Sequence, residues 1–383
     1  MFEIVCLSHL AWDSRLFQRP QQLMARLAGR GHRVHYFGCI GAKSLREFAS
    51  RGEKSGISAP GTASSLRYQN LSYSPLTLRF EKFRRAVATK TIAGLMASDH
   101  QPRIAWIYHP GLLPLAEALK PDLIVYDVMD RFAAFLASGR ETQELEAQAL
   151  AAANVIFTGG QSLHEATLQS LRDNDIDASG KIIQCFPSGV DLDHFAKASL
   201  AETPVPADIA SLPHPILGYF GAIDERMDFA LLDTLAKQFS HGSVVLVGPV
   251  LSRPDATPQN LHLLGARTYA DLPCYLKAFD VCLLPFRATE LVAHISPTKT
   301  PEYLAGGRPV VSIPIPDVIT EWSDVVAVAD SPASFIDACQ SALSSADSTK
   351  LANAAKRART WDQIANEMDH AISGLAGPAT SHA

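Results

Sequence analysis

"HISPTKTPEYLAGGRPVV", residues 294–311, passes from a polar turn through a helix-like stretch to an apolar run of strand type. The Ser-Pro-Thr-Lys turn leads into Glu302, Gly306 and Gly307 close the expected helix, and Arg308-Pro309 open the strand. Polar groups therefore gather at a helix entrance, where backbone N–H groups and the helix dipole stabilise anions. A turn, helix and strand in this order, with the polar groups at the turn, predict an α/β unit holding a phosphate-bearing ligand.

The same alternation extends in both directions. Upstream lie "EIVCLSHL", "HRVHYFGCI", "RIAWIYH", "LIVYDVM", "NVIFTGG" and "KIIQCFP", then "ILGYFGAI", "SVVLVGPV", "NLHLLG" and "DVCLLPF"; "RPVVSIP" and "VVAVAD" complete the series. Short runs that are apolar on both faces and separated by helix-periodic segments are what a parallel sheet covered by helices requires. The fold class is α/β, doubly wound, with about six strands in each of two halves. Residues 190–215 carry Pro204, Pro206, Pro213 and Pro215 without clean periodicity and read as a linker. The expected division is 1–195, 196–360 and a helical segment 361–383 that packs back on the first half. Ligands of open α/β sheets bind outside the carboxyl ends of strands, so the cleft between the halves is the expected site.

Composition narrows the function. A net charge of −5 over 383 residues argues against a nucleic-acid binder, which carries a net basic face. The six cysteines are scattered, with no C-x-x-C and no clustered histidines, so neither a zinc site nor a disulfide framework is expected. A reduced, cytoplasmic setting fits. The start "MFEIVCLSHL" lacks a basic leader and has Glu3 inside its apolar run, which reads as a first strand rather than a signal peptide. No apolar stretch approaches the roughly 18 residues of a membrane span. Residues 78–96 hold Arg79, Lys82, Arg84, Arg85 and Lys90 against Glu81, with apolar residues interspersed. Such a basic amphipathic helix suits the anionic inner face of the cytoplasmic membrane, or equally a solvated helix face.

No G-x-G-x-x-G follows a strand, and there is neither a Walker A loop nor a G-x-S-x-G elbow, which excludes the commonest dinucleotide, ATPase and hydrolase signatures. Polar residues instead follow strands in the second half: "GAIDERMD" (221–228), "VGPV" (247–250), "LGARTYADLP" (264–273) and "PFRATELVAHISPTKTPEY" (285–303). Together with "YDVMDRFAAF", "NVIFTGGQSLHEA" and "CFPSGVDLDHF", these segments resemble the nucleotide-sugar-dependent glycosyltransferases of the GT-B fold, retaining type. The likeness is to cell-surface polysaccharide enzymes similar to the teichuronic acid glycosyltransferases, and it is strongest from about residue 120 to 315.

The resemblance implies two Rossmann-like domains, the first for the acceptor and the second for the nucleotide sugar. It implies that Glu302 bonds the ribose diol, as a carboxylate accepting two hydrogen bonds can. It implies a basic clamp on the donor diphosphate in the loop that starts at Gly221. One family position there is Ala222, which leaves Arg226, and Lys299 is the candidate for the missing charge. Thr298 and Ser296 border that clamp, and backbone amides of Thr298 to Thr300 are further donors. Main chain around Arg267 and Thr268 is expected to cradle the base. A second glutamate expected eight residues before Glu302 is replaced by His294, with Glu290 out of register, so His294 or the backbone at Ile295 and Ser296 is expected to meet the sugar. In the first half, Trp12, Asp13, Arg15 and Arg19 are expected at the cleft edge, with His109, Asp127 and Asp130 at strand ends to orient or deprotonate the acceptor; alternatively Asp130 caps the following helix. The named catalytic candidates are Arg226, Lys299, Asp130 and His109. No metal and no bound cofactor are expected, only a nucleotide-diphosphate sugar, UDP-linked first and GDP-linked second, and a glycan or lipid-linked acceptor. A nucleotide-sugar epimerase of the same architecture and a silent glycosyltransferase-like scaffold are the competing readings.

Overall fold

Alternate residues of the first strand face different cores: Ile4 and Cys6 pack in one cluster, Val5 and Leu7 in the other, all with no exposed surface. This two-sided burial is the reason the run reads as continuously apolar. The computed structural model describes residues 1–12, 17–39, 65–71, 81–96, 102–134, 140–253 and 256–376, the side chains of 81–84 excepted. The chain forms two units, one made of Met1–Pro187 with the chain from Trp361 onward, the other of Ser188–Thr360.

Unit 1 contains β1 (Glu3–Ser8), β2 (Arg33–Cys39), β3 (Leu66–Leu71), β4 (Arg103–Ile107), β5 (Leu123–Val128), β6 (Val155–Thr158) and β7 (Ile182–Cys185). They make one seven-stranded sheet in the order β3-β2-β1-β4-β5-β6-β7, every pairing parallel. The strand order reverses between β1 and β4. Six strands match the sequence expectation; β3, "LRYQNL", is the seventh. It is an edge strand whose middle residues are only partly covered, so it lacks the apolar run that betrays an interior strand. The final helix, Trp361–Ser373, buries Trp361, Ile364, Ala365, Met368 and Ile372 in the same cluster as Ile4 and Trp106. Its polar side is fastened to the first helix, Arg19–Gly29, and the turn after it: Arg26 pairs with Asp362 at 3.1 Å and His32 with Asp369 at 2.9 Å.

Unit 2 contains β8 (Ile216–Phe220), β9 (Ser243–Val247), β10 (Leu261–Gly265), β11 (Val281–Leu284), β12 (Val310–Ser312) and β13 (Val326–Val328). The six strands run parallel in the order β10-β9-β8-β11-β12-β13, reversing between β8 and β11. Such a reversal leaves a crevice outside the carboxyl ends of the two strands that flank it.

The expected linker, 190–215, is part of unit 2 instead. It carries short helices at Leu192–Ala196 and Ala207–Ala210, and Val190, Phe195, Ala198 and Ile209 are buried in the unit's core. Elements of four or five residues are too short to display a helical period, and the surrounding prolines mask them. The expected boundary at 195/196 therefore falls inside a helix, whereas the contact boundary lies at Pro187/Ser188. Among the described residues no helix is long and apolar enough to cross a membrane.

Candidate functional site

Everything at the carboxyl edge of unit 2 is built around the end of β8. Gly221 follows with φ of 147°, donating its N–H to Val247 O at 2.9 Å. A Cβ on Gly221 would stand 2.5 Å from the Tyr219 hydroxyl and 2.7 Å from Lys299 Cε, so the lysine stem lies directly over this glycine. At Gly248, after β9, a Cβ would run into the Gly221 carbonyl. These two glycines let neighbouring strand ends approach closely and leave backbone, not side chain, facing the crevice.

The loop from Gly221 to Asp228 is pinned on both sides. Ile223 bridges to Val250, Met227 to Phe286, and the Tyr219 hydroxyl donates to Ala222 O at 3.1 Å. Asp228 caps helix Phe229–Gln238, accepting from the N–H groups of Ala230 and Leu231 at 3.1 and 3.0 Å. Within this loop Arg226 is gripped by Asp224, with Nε to Oδ1 at 2.9 Å and Nη2 to Oδ2 at 2.6 Å. The fork is oriented by that bidentate pair and its charge is offset by it. Asp224 was not singled out from the sequence, where its only signal is an acid two residues before the expected clamp arginine.

Opposite the loop stands helix Lys299–Ala305, whose first turn carries the acid. Glu302 is 7% exposed and burial pushes its carboxyl up to about 7, with the Lys299 ammonium pulling the other way. The amide of Thr300 is already used by Pro297 O at 3.2 Å, which removes it from the expected set of donors. Lys299 Nζ lies 3.4 Å from Thr298 Oγ1. Ser296 and Thr298 are half-buried in the preceding turn; His294 is half-buried and caps the carboxyl end of the short helix Glu290–Ala293.

Arg267 and Thr268 follow β10, but their side chains turn into local structure. The Arg267 guanidinium bonds Asp208 at 2.6 Å and the Tyr275 hydroxyl at 2.5 Å, and Thr268 bonds Asp271 at 2.6 Å. Asp208 comes from the segment read as a linker, so this lock was illegible in the sequence. The expected contact with a base therefore rests on the backbone of this loop alone.

At the carboxyl edge of unit 1 the reversal point between β1 and β4 brings two histidines together. His9 and His109 have ring centroids 5.7 Å apart, and both pack on Phe132, at 5.2 and 4.3 Å. Burial pushes His9 down to about 4 and His109, with His9 beside it, down to about 3, so both imidazoles are neutral at ordinary pH. His109 Nδ1 accepts the Gly111 N–H at 3.0 Å, which puts the proton of the neutral ring on Nε2. Asp130 is half-buried just past β5. His9 was missed because "SHLAWD" shows no motif, only a polar residue directly after a strand.

Two expectations for this edge are corrected. Arg19 and Asp127 are 2% and 0% exposed, joined at 2.9 Å, and Arg19 also donates to Phe186 O at 2.8 Å. They form an internal tie that neutralises a buried carboxylate, and neither reaches an acceptor. Trp12 is likewise buried, stacked on Tyr68 and edge-on to Tyr36. Asp13 and Arg15 lie outside the described residues. In the basic segment, residues 78–80 and the side chains of 81–84 lie outside them too; helix Glu81–Ala93 leaves Val87 and Lys90 exposed and Ile92 buried. Among the described residues no three His, Cys, Asp or Glu side chains gather as metal ligands.

Comparison with known proteins gives this edge a context. Residues 214–345, which span β8 to β13, match the family model of Glycosyl transferases group 1. The match covers about a third of the chain. TuaH of Bacillus subtilis (strain 168), assigned as a glycosyltransferase of teichuronic acid biosynthesis, is 25% identical to the chain over 257 residues, 62% of it. The match spans 63% of the length of TuaH. Sucrose-phosphate synthase from Thermosynechococcus elongatus superposes with a TM-score of 0.70 at 15% identity, covering 98% of this chain and 100% of that one. Anabaena Alr3699/HepE, solved in complex with UDP and glucose, gives 0.67 at 12% identity, with 97% and 100% covered. The fold is GT-B, two Rossmann-like doubly wound units. Within the matched residues, Gly221 and Arg226 lie on the loop after β8, while His294, Lys299 and Glu302 lie between β11 and β12, the last two on helix Lys299–Ala305.

Proposed function

We propose that this protein transfers a hexosyl group from a nucleotide-diphosphate sugar to a hydroxyl of a glycan or lipid-linked acceptor in cell-surface polysaccharide synthesis, with retention at the anomeric carbon. The observation that carries this reading is the lysine stem laid over Gly221 beside a buried glutamate at the reversal point of the sheet that matches the group 1 glycosyl transferase model. TuaH supports the polysaccharide setting, and the UDP held by Alr3699/HepE supports UDP as first donor, ahead of GDP.

In the reaction the anomeric C–O bond breaks, the electron pair leaves with the diphosphate, and the sugar passes through an oxocarbenium-like transition state before the acceptor oxygen bonds to it. Lys299, with Arg226 held by Asp224, neutralises charge developing on the diphosphate. Glu302 holds the ribose and Ser296, Thr298 and Gly221 border the phosphates; backbone at Arg267 and Thr268 receives the base. Unit 1 supplies the acceptor side: His109 Nε2–H orients a hydroxyl, and Asp130 is the candidate to take its proton. Membrane contact through helix Glu81–Ala93, in the cytoplasm, belongs to the same proposal.

The test is release of nucleoside diphosphate from a panel of UDP- and GDP-sugars, with and without cell-envelope lipid extract, in the presence of EDTA. Release is expected to require the extract and to survive the chelator, because the two cations do the neutralising. Loss in EDTA with recovery on Mn²⁺ overturns the metal-free clamp. Free nucleotide and altered sugar without any acceptor means an epimerase, and no release from any donor means a silent scaffold.

His294 separates sugar from nucleotide. A neutral imidazole offers one donor and one acceptor to sugar hydroxyls. His294→Ala is expected to weaken the complete donor by roughly 1–2 kcal/mol while leaving the bare nucleotide diphosphate almost untouched. Calorimetric titration of both ligands decides; a parallel fall in both moves His294 to the phosphate or base site.

A further inference from the structure

Helix Lys299–Ala305 and the loop after β8 are some eighty residues apart in sequence, yet the groups they carry must keep a fixed spacing if both are to touch one ligand. Backbone N–H groups alternate sides along a strand. Gly221 N–H points to β9, donating to Val247 O, so Phe220 N–H points the other way, toward β11. There β11 offers it nothing, since β8 and β11 are in register only at Leu217–Val281 and Gly218–Cys282. The two strands splay beyond Gly218, and the Tyr303 hydroxyl fills the gap, accepting Phe220 N–H at 3.0 Å. Tyr303 has no exposed surface, and its ring stands edge-on to Phe220 with centroids 4.7 Å apart. Lys299 and Tyr303 are four residues apart and share a helix face. One face of the helix therefore meets two consecutive residues of the strand end, Phe220 through Tyr303 and Gly221 through Lys299.

We propose that Tyr303 is a positioning residue for the donor: its hydroxyl stands in for a ladder carbonyl of β11 and sets the height of the helix over the β8 loop, so that Lys299 and Glu302 reach diphosphate and ribose together. This rests on the donor-site reading above. Phenylalanine fills the same volume but cannot accept the Phe220 N–H, and a buried donor left without an acceptor drives the helix away from the strand end or draws water between them.

Tyr303→Phe is expected to bind UDP or GDP, whichever the wild type binds, about tenfold more weakly by calorimetry. Leu235→Ala is the control, a fully buried residue of helix Phe229–Gln238 whose loss lowers the melting temperature and leaves nucleotide affinity within about twofold. Unchanged affinity in Tyr303→Phe, or losses in both variants that track their melting temperatures, reduces Tyr303 to a packing residue. A measurement on the wild type needs no variant to fold: amide hydrogen exchange at Phe220 is expected to slow when nucleotide saturates the site. An unchanged rate there, with slowing confined to the helix amides, overturns the positioning role. If the wild type binds no nucleotide, the donor reading fails and takes this one with it; the variant and exchange results bear on Tyr303 alone.

Discussion

Glu302→Ala is expected to lose about 1–3 kcal/mol of nucleotide affinity, because the substitution removes the acceptor for a vicinal diol in a crevice where water replaces it poorly. The burial that makes the carboxylate effective also makes it titrate near neutrality. Its carboxyl lies at about 7 in the folded chain, above the ordinary value of 4.5. A raised acid binds more protons folded than unfolded, so the apo protein is favoured below pH 4.5 and loses that contribution as pH rises through 7. Nucleotide binding runs the opposite way, since the ionised form accepts both diol hydrogens; affinity is expected to rise between pH 6 and 8. Phosphate protonation of the ligand acts on wild type and variant alike, so Glu302→Gln isolates the protein group. A variant whose pH profile and affinity match the wild type removes Glu302 from the site.

Lys299→Met is expected to reduce turnover by about 10²–10³, the scale of removing one preorganised charge-stabilising group, about 2.7–4 kcal/mol. Lys299 comes to the β8 loop from another element, its Cε only 2.7 Å from the position of a Cβ on Gly221. Arg226→Met alone leaves Asp224 unpaired, so the comparison is the double variant Asp224→Asn/Arg226→Met, which is expected to cost less because the pair it removes carries no net charge. Steady-state rates with saturating donor rank the two. An equal or larger loss in the double variant shifts the clamp to the β8 loop, and turnover unaffected in Lys299→Met removes the lysine from the chemistry.

The sheets were legible because parallel strands bury both faces: "ILGYFGAI" and "SVVLVGPV" can hardly be anything else, and both became interior strands with every residue covered. β3 was missed for the converse reason, being an edge strand with Arg67 exposed. Of the expected site residues, those that follow β8 and β11 share one edge because alternating strands and helices imply a parallel sheet, whose carboxyl ends all lie on one side; that β8 and β11 are neighbours was not legible. Pairings across long sequence separation were not legible. Nothing in "DLDHF" or "PADIA" announces that Asp208 will hold Arg267, and nothing in "RPQQL" announces that Arg19 will turn inward to Asp127. Tyr219 and Tyr303 read as ordinary apolar-strand and helix residues, since their roles depend on where two strands part.

The helix Trp361–Ser373 closes the core of the unit that began at Met1, with the whole of Ser188–Thr360 in between. A chain emerging from the ribosome therefore has everything unit 2 needs before it has everything unit 1 needs. At about 5–20 residues per second, the face that Trp361, Ile364 and Met368 will cover stays bare for on the order of 10–40 s after β7 has appeared. The order of synthesis makes the second unit the first to be finished, and the nascent first unit the one most exposed to chaperones.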